Sequence, residues 1–372
     1  MSALYIGLMS GTSLDGVDAV LARFPGQGVP LDVLAHHYRP FDDSLRAELL
    51  ALNTPGPDEL HRAALSGNAL SRVYAEAVQA LLSATGMPAS AIRALGAHGQ
   101  TVRHRPGMFD GQGYTLQLLN GALLAESSGI AVVCDLRSRD VAAGGQGAPL
   151  VPAFHAALFG RKGHDVAVLN IGGISNISLL HGDGCVGGFD CGPGNCLLDL
   201  WVQRHLGQAY DADGIWAAGG RVLPELLAAM LDEPFFRQAP PRSTGRDLFN
   251  AQWLERQLAL HAGDAAAVDI QATLTELTAQ CVVDSLTLHE PCCEELLVCG
   301  GGALNGLLME RLHALLPRVR VLSTQARGLP PLQVEAAAFA WLAQRHCEHL
   351  AGNLPAVTGA SGPRVLGAYH PV

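Results

Sequence analysis

The order of apolar and polar positions predicts strands alternating with helices. Leu4 to Met9 is an apolar run that stops at Ser10-Gly11-Thr12-Ser13, and Val17 to Phe24 is a second run beyond it. Two short runs joined by small turn residues predict a β-hairpin. Pro57 to Ser83 has helical periodicity with few breakers. Ile92 to His98 and Ile130 to Cys134 read as strands ending in polar residues, the second at Asp135. Val166 to Asn170, the turn Gly172-Gly173-Ile174-Ser175-Asn176 and Ile177 to Leu180 repeat the plan of the first hairpin. Ala272 to His289 predicts an amphipathic helix opened by a capping box, Thr273-x-x-Glu276. Leu296 to Cys299 is a buried-type strand running into Gly300-Gly301-Gly302-Ala303-Leu304-Asn305. Glu335 to Leu350 is an Ala-rich helix with Gly352 placed to end it. The alternation predicts an α/β fold. Two related hairpins, too far apart for a solenoid repeat, predict two domains on one plan.

Length and composition sharpen this. The 372 residues exceed what one core usually organises. Hydrophobic residues at 49% and charged residues at 16% give an ordinary soluble globular profile. A net charge of -10 without a Lys/Arg run disfavours nucleic-acid binding, which needs a basic footprint. It leaves room for a phosphorylated small molecule, because backbone N–H groups hold phosphate without net positive charge. Nine cysteines, with no C-x-x-C, read as reduced and mostly buried. The N-terminus lacks the basic and apolar regions of a signal peptide, and no apolar stretch reaches about 18 residues, so a cytoplasmic location is expected.

Candidate chemistry sits where strands meet glycines. There is no P-loop, and no G-x-G-x-x-G follows a strand. Three junctions exist instead: Ser10-Gly11-Thr12-Ser13-Leu14-Asp15-Gly16, Gly172-Gly173-Ile174-Ser175-Asn176 and Gly300-Gly301-Gly302-Ala303-Leu304-Asn305. Any one alone is an ordinary tight turn. Together they fit a distributed polyphosphate site. Asp190, before Cys191-Gly192-Pro193, suits a carboxylate base or a cap of the Gly/Pro turn equally well. Asp199, its nearest rival, falls on a helix expected to begin near Asn195.

The blocks Gly7 to Asp18, Gly99-Gln100-Thr101, Asp135-Leu136-Arg137, Ala143 to Pro152, Asn170 to Gly173, Gly188 to Asn195, Ser243-Thr244-Gly245-Arg246, Gln271 to Thr275, the triple glycine and Glu335 to Ala340 occur in one order along nearly the whole chain. In that order they resemble the anhydro-N-acetylmuramic acid kinases. The resemblance implies two ribonuclease-H-like lobes of the actin/hexokinase type with an interdomain cleft. The N-terminal lobe would span residues 1–148, with about 351–372 a candidate to return to it, and the C-terminal lobe 149–350. It implies conversion of 1,6-anhydro-N-acetylmuramate, ATP and water to N-acetylmuramate 6-phosphate and ADP, in peptidoglycan recycling, by a homodimer using Mg²⁺.

The resemblance makes Asp190 the base. It assigns ATP binding to Gly11, Thr12, Ser13, Leu14, Asp15, Gly16, Val17 and Asp18 in the phosphate 1 hairpin, to Asn170, Gly172 and Gly173 in the phosphate 2 hairpin, and to Gly300, Gly301, Gly302 and Asn305 around the nucleoside. Asp15 would hold Mg²⁺ through water or stabilise its turn. Gln100, Thr101, Arg137 and Glu335 are the candidate sugar contacts; Arg137 would suit a lactyl carboxylate, with surface pairing or a solvated helix face the alternatives. His98 is equally a satisfied structural histidine or a substrate contact. Cys191 and Leu136 depart from the family pattern, where Thr and Phe are more usual.

Overall fold

The computed structural model describes residues 3–11, 13–25, 31–240, 242–245 and 248–372. The chain divides into two compact units, Met1–Phe154 with Gln333–Val372, and His155–Leu332.

The first unit opens with strands β1 (Ala3–Met9), β2 (Gly16–Phe24) and β3 (Asp32–Pro40), then helices α1 (Asp43–Ala51) and α2 (Glu59–Thr85). It continues through β4 (Ile92–Ala97), β5 (Gln100–Pro106), β6 (Gly113–Leu118), α3 (Gly121–Ser128), β7 (Val132–Cys134) and α4 (Ser138–Ala142) to the start of α5 (Val151–Phe159), whose residues from His155 on belong to the second unit. The sheet order is β13-β7-β4-β1-β2-β3, where β13 (Ala368–His370) is the last strand of the chain. β1, β2 and β3 are antiparallel neighbours, and β4 and β7 continue the sheet in parallel.

The second unit repeats that plan. β8 (Val166–Ile171), β9 (Ile174–Leu180) and β10 (Val186–Pro193) are antiparallel, and β11 (Glu295–Cys299) and β12 (Arg320–Ser323) follow in parallel. The order is β10-β9-β8-β11-β12. Between β10 and β11 lie α6 (Asn195–Leu206), α7 (Ile215–Ala218), α8 (Pro224–Leu231), α9 (Ala251–His261) and α10 (Ala267–His289); α11 (Gly306–Leu315) precedes β12. Three antiparallel strands followed by parallel ones, in both units, is the ribonuclease-H-like arrangement that the family resemblance implies, and its repetition matches the two related hairpins.

Strand alternation divides the first core in two. Ile6 and Leu8 of β1 face Leu70, Tyr74 and Leu81 of α2. Tyr5, on the other side, joins Ala94, Val133 and the residues Phe339, Ala340 and Ala343 of α12 (Val334–Cys347). A short helix, α13 (Pro355–Thr358), follows. Glycine permits α12 to lie directly on the sheet. A Cβ on Gly7 would come within 1.8 Å of the Ala336 carbonyl oxygen, and one on Gly96 within 1.9 Å of that of Phe339.

Three expectations need correction. The contacts of α12 are with β1, β2 and β4, so residues 333–350 belong to the first unit and not to a lobe spanning 149–350. Helix α12 also ends earlier, at Cys347, because His349 takes the left-handed conformation (φ 56°) expected of a glycine. The Thr273-x-x-Glu276 capping box is absent. α10 begins at Ala267, Thr273 Oγ1 donates to the Asp269 carbonyl at 2.7 Å, and Glu276 accepts two bonds from Arg311 at 2.6 and 2.9 Å. The polar residues that read as a helix start are interior positions: Thr273 Oγ1 also accepts from Leu223 N, just before the Pro224–Leu231 helix, at 2.9 Å, and Glu276 is held by Arg311.

Candidate active site

The first turn is held from beneath. Ser10 Oγ lies 2.9 Å from the Gly99 carbonyl and 2.8 Å from the Tyr74 hydroxyl, which also reaches the Gly99 carbonyl at 3.4 Å, so the two hydroxyls share one acceptor and bond each other. Gln100 Nε2 donates to the Gly11 carbonyl at 3.0 Å. His98 Nδ1 lies 3.1 Å from the Ser10 carbonyl, while its Nε2 faces Arg137 Nε at 3.1 Å and Nη2 at 3.0 Å. Those neighbours settle the tautomer: Nδ1 carries the proton and Nε2 accepts. Burial, with the Arg137 guanidinium beside it, pushes the His98 pKa down to about 3. His98 is therefore a neutral brace with both nitrogens satisfied.

Leu14 and Val17 are buried in the core, and Leu14 sits at φ 59° with its N–H on the Gly11 carbonyl. These two side chains anchor the loop, and Gly11, Ser13 and exposed Asp15 remain at its surface. Thr12 lies outside the described residues. Asp15 meets only the Arg46 guanidinium, at 3.7 Å, among the described ion pairs. Gly16 cannot be larger, since a Cβ would lie 2.4 Å from the Arg39 carbonyl. Asp18 Oδ1 is 2.8 Å from His36 Nε2.

Arg137 spends its third donor, Nη1, on the Gly147 carbonyl at 2.8 Å. Burial pushes its pKa down to about 10, with Glu335 and Asp140 opposing. Burial raises the Glu335 carboxyl, Asp18 adds to this, and Arg137 opposes it. Glu335 thus feels the charges of both Asp18 and Arg137, though among the described residues Arg137 and Glu335 form no ion pair. Thr101 Oγ1 accepts from Gln117 Nε2 at 3.1 Å. The loop beside Arg137 hangs on fully buried Asp140, whose Oδ2 accepts from Gly147 N at 2.8 Å and whose Oδ1 accepts from Asn353 Nδ2 and Thr358 Oγ1 at 2.6 and 2.8 Å.

In the second unit the glycine junctions converge on one another. The β8–β9 turn presents its carbonyls to the start of α6: Asn195 N donates to Gly172 O at 2.8 Å, and Gly194 N and Cys196 N donate to Gly173 O. Asn195 Nδ2 donates to Ile171 O at 3.1 Å. Gly300, at φ 77°, lies so close that a Cβ would fall 2.4 Å from Asn170 Oδ1 and 2.6 Å from Ile171 O. Gly302 packs on Ile171. Gly301 and Asn195 adjoin as well, a Cβ at 301 lying 3.4 Å from Asn195 Nδ2. Asn305 caps α11, its Oδ1 accepting from Leu308 N at 3.1 Å.

Asp190 lies in β10 opposite Asn176, next to the bulge that separates it from Gly192. Gly192 and Pro193 continue the strand, so Asp190 caps no turn there. Its Oδ2 accepts from Ser243 Oγ and Thr244 N, both at 2.9 Å; among the described residues Oδ1 receives no hydrogen bond. Burial raises its carboxyl above the usual range, while the Thr244 N–H, the Ser243 hydroxyl and the Arg242 charge pull the other way. Asp199 lies on α6, away from this segment in the chain.

Arg242 was not foreseen. Its guanidinium lies 5.1 Å from the Phe189 ring centre and 5.2 Å from that of Phe235, and donates to Phe236 O, Gln238 O and Ser285 Oγ. It pairs with Asp190 through the backbone in both directions: Asp190 N to Arg242 O at 3.2 Å, and Arg242 Nε to Asp190 O at 3.0 Å. Ser243 and Thr244 belong to a block noted in the sequence, but without a role; Arg246 of that block lies outside the described residues.

The family model for anhydro-N-acetylmuramic acid kinase matches residues 3–372. The chain belongs to the anhydro-N-acetylmuramic acid kinase family. It is 61% identical to a protein of that name from Variovorax paradoxus, covering 99% of each chain, and 58% identical to one from Albidiferax ferrireducens, covering all of both. Among solved structures, the activator of the 2-hydroxyisocaproyl-CoA dehydratase from Clostridium difficile with bound ADPNP overlaps 93% of this chain and 96% of its own, at 13% identity and a TM-score of 0.48. Membership makes this chain a kinase, and no helix among the described residues is long and apolar enough to cross a membrane.

Proposed function

We propose that this chain phosphorylates 1,6-anhydro-N-acetylmuramic acid with ATP while hydrolysing its anhydro ring, giving N-acetylmuramic acid 6-phosphate and ADP for peptidoglycan recycling. The carboxylate of Asp190 carries the reading. It is half-buried, held through one oxygen by Ser243 and Thr244, and set in a strand beside the glycine turn. In the proposed step Asp190 takes a proton from water as the water oxygen bonds to C1. The C1–O6 bond breaks and its electron pair stays on O6. O6 then bonds to the γ-phosphorus, the bond to the β-phosphate oxygen breaks, and ADP leaves. A raised carboxyl pKa makes the carboxylate a stronger base toward water, while the Ser243 and Thr244 donors stabilise its charged form.

The Ser10–Asp18 loop is our candidate for the phosphates in the first unit, with Gly172, Gly173, Asn170 and the Gly300–Asn305 segment in the second. Mg²⁺ would neutralise phosphate charge there. Asp15 fits that use through water, since its carboxylate is exposed and, among the described residues, its one ion pair is with Arg46 at 3.7 Å. Arg137 and Glu335, with Gln100 and Thr101 behind them, are the proposed sugar contacts; Arg137 retains two donors for a carboxylate after its bonds to His98 and Gly147. A cytoplasmic homodimer completes the proposal.

ADP release by the purified protein with Mg-ATP, with and without the anhydro-sugar, tests this. Sugar-dependent release with solvent oxygen incorporated at C1 is expected. Release with an ordinary sugar hydroxyl and none with the anhydro-sugar would overturn it.

A further inference from the structure

At the end of β8 and β9 opposite their glycine turn, three side chains from three elements meet. Asp165 precedes β8, His181 follows β9, and Glu290 follows α10. One ligand atom from each lies within 4.8 Å of the others. Their backbones are fixed. Gly182 N donates to Asp165 Oδ1 at 2.7 Å, Glu294 N to Asp165 O at 2.9 Å, and His181 N to Cys185 O at 3.0 Å.

The Glu290 side chain is only 6% exposed, and its Oε2 sits 2.5 Å from His181 Nδ1. Yet that oxygen, shut off from solvent, receives no hydrogen bond: the contact lacks the alignment of N–H to O. An ion pair would leave the arrangement unbalanced, with one imidazolium against two carboxylates and a buried acceptor without a donor. A divalent cation removes both defects. It neutralises two carboxylates, takes a neutral imidazole nitrogen, and leaves a position for water.

We propose that Asp165, His181 and Glu290 bind a borderline divalent cation of the zinc type, one per chain, and fasten the end of α10 to the start of β8 and the end of β9. The Asp190 region, which contacts β9 at Asn176, lies elsewhere on the strand.

The test uses full-length protein stripped with chelator and titrated with Co²⁺ without nucleotide. One equivalent giving visible d–d absorption is expected, with Zn²⁺ displacing it and raising Tm. His181→Asn and Glu290→Gln should each weaken uptake more than about tenfold, the least expected when even an outer partner of a metal ligand is lost. Cys185→Ser, removing an exposed thiol nearby, should leave uptake unchanged. Circular dichroism and Mg-ATP kinase activity confirm that the variants are folded. No uptake by the wild type would make the trio a plain ion pair, and undiminished uptake in both variants would place the metal elsewhere; either overturns the proposal.

Discussion

Replacing Gly7 with alanine would put a methyl group 1.8 Å from the Ala336 carbonyl oxygen and 2.5 Å from the Ala340 nitrogen. A carbon and a carbonyl oxygen rest at about 3.3 Å or more, so α12 must retreat by roughly 1.5 Å. Both obstacles are backbone atoms and cannot rotate aside. Helix α12 buries Val334, Phe339, Leu342 and five alanines, so the whole interface loosens with it. Overpacking typically costs 1–3 kcal/mol; with no side chain to yield, about 3 kcal/mol is expected here. At about 2–4 °C per kcal/mol for a unit of this size, Tm falls by about 6–12 °C. Scanning calorimetry reads the shift. Gly187→Ala is the control, because its Cβ would meet Leu179 at an ordinary 3.7 Å. Glu335 rides on the first turn of α12, so the KM for sugar should rise in the same variant. A Tm within about 2 °C of the wild type, or an equal fall in the control, would refute the close-approach argument.

Asp190→Asn should lower kcat by about 10²–10⁴ with an unchanged circular dichroism spectrum, and the wild-type kcat/KM should fall on acidification around a pKa above the ordinary carboxylate range, because only the charged form is a base. An acid limb that persists in the variant would count against the assignment. Asp140→Ala strands Gly147 N and leaves Asn353 Nδ2 and Thr358 Oγ1 with only their 3.4 Å bonds to Gly362 O and Leu354 O; at 1–3 kcal/mol for a buried orphan, a loss of about 1–3 kcal/mol should appear in the urea midpoint. His98 and His155 are each held down to about 3, chiefly by burial. The unfolded chain takes up protons below about 6.5 while the native chain does not, so stability is full above that pH and declines from there toward 3. Urea midpoints from pH 7 to 4 should fall less steeply in His155→Gln; an identical slope would refute it.

The two hairpins were legible because β1–β2 and β8–β9 combine apolar runs with glycine turns. β10 was not, since Val186-Gly187-Gly188-Phe189 reads as a loop; only its pairing with β9 makes it a strand. β3 carries Asp32, His36, His37 and Arg39, the polar surface of a sheet edge, and lacks a buried strand's signature. The glycine junctions read as turns or places of ligand approach, whereas Gly7 and Gly96, outside those junctions, are small because a helix from the far end of the chain lies on them, which local pattern cannot show. Asp190 was picked out by resemblance rather than by periodicity. Arg242 had no signal at all: nothing in a lone arginine among prolines announces that two phenylalanine rings and three backbone carbonyls await its guanidinium.

The first unit is made of two stretches of chain separated by the whole of the second. A ribosome adding about 5–20 residues per second completes β1 through β7, then spends about 10–40 s on residues 155–332 before α12 emerges. Throughout that interval the side of the sheet bearing Tyr5, Ala94 and Val133 lacks its cover. The second unit, contiguous in sequence, can fold as soon as it is extruded. The nascent chain therefore carries its greatest aggregation hazard in the part synthesised first, and a nonsense mutation after residue 332 would spare the later-made unit while leaving the earlier one without its lid.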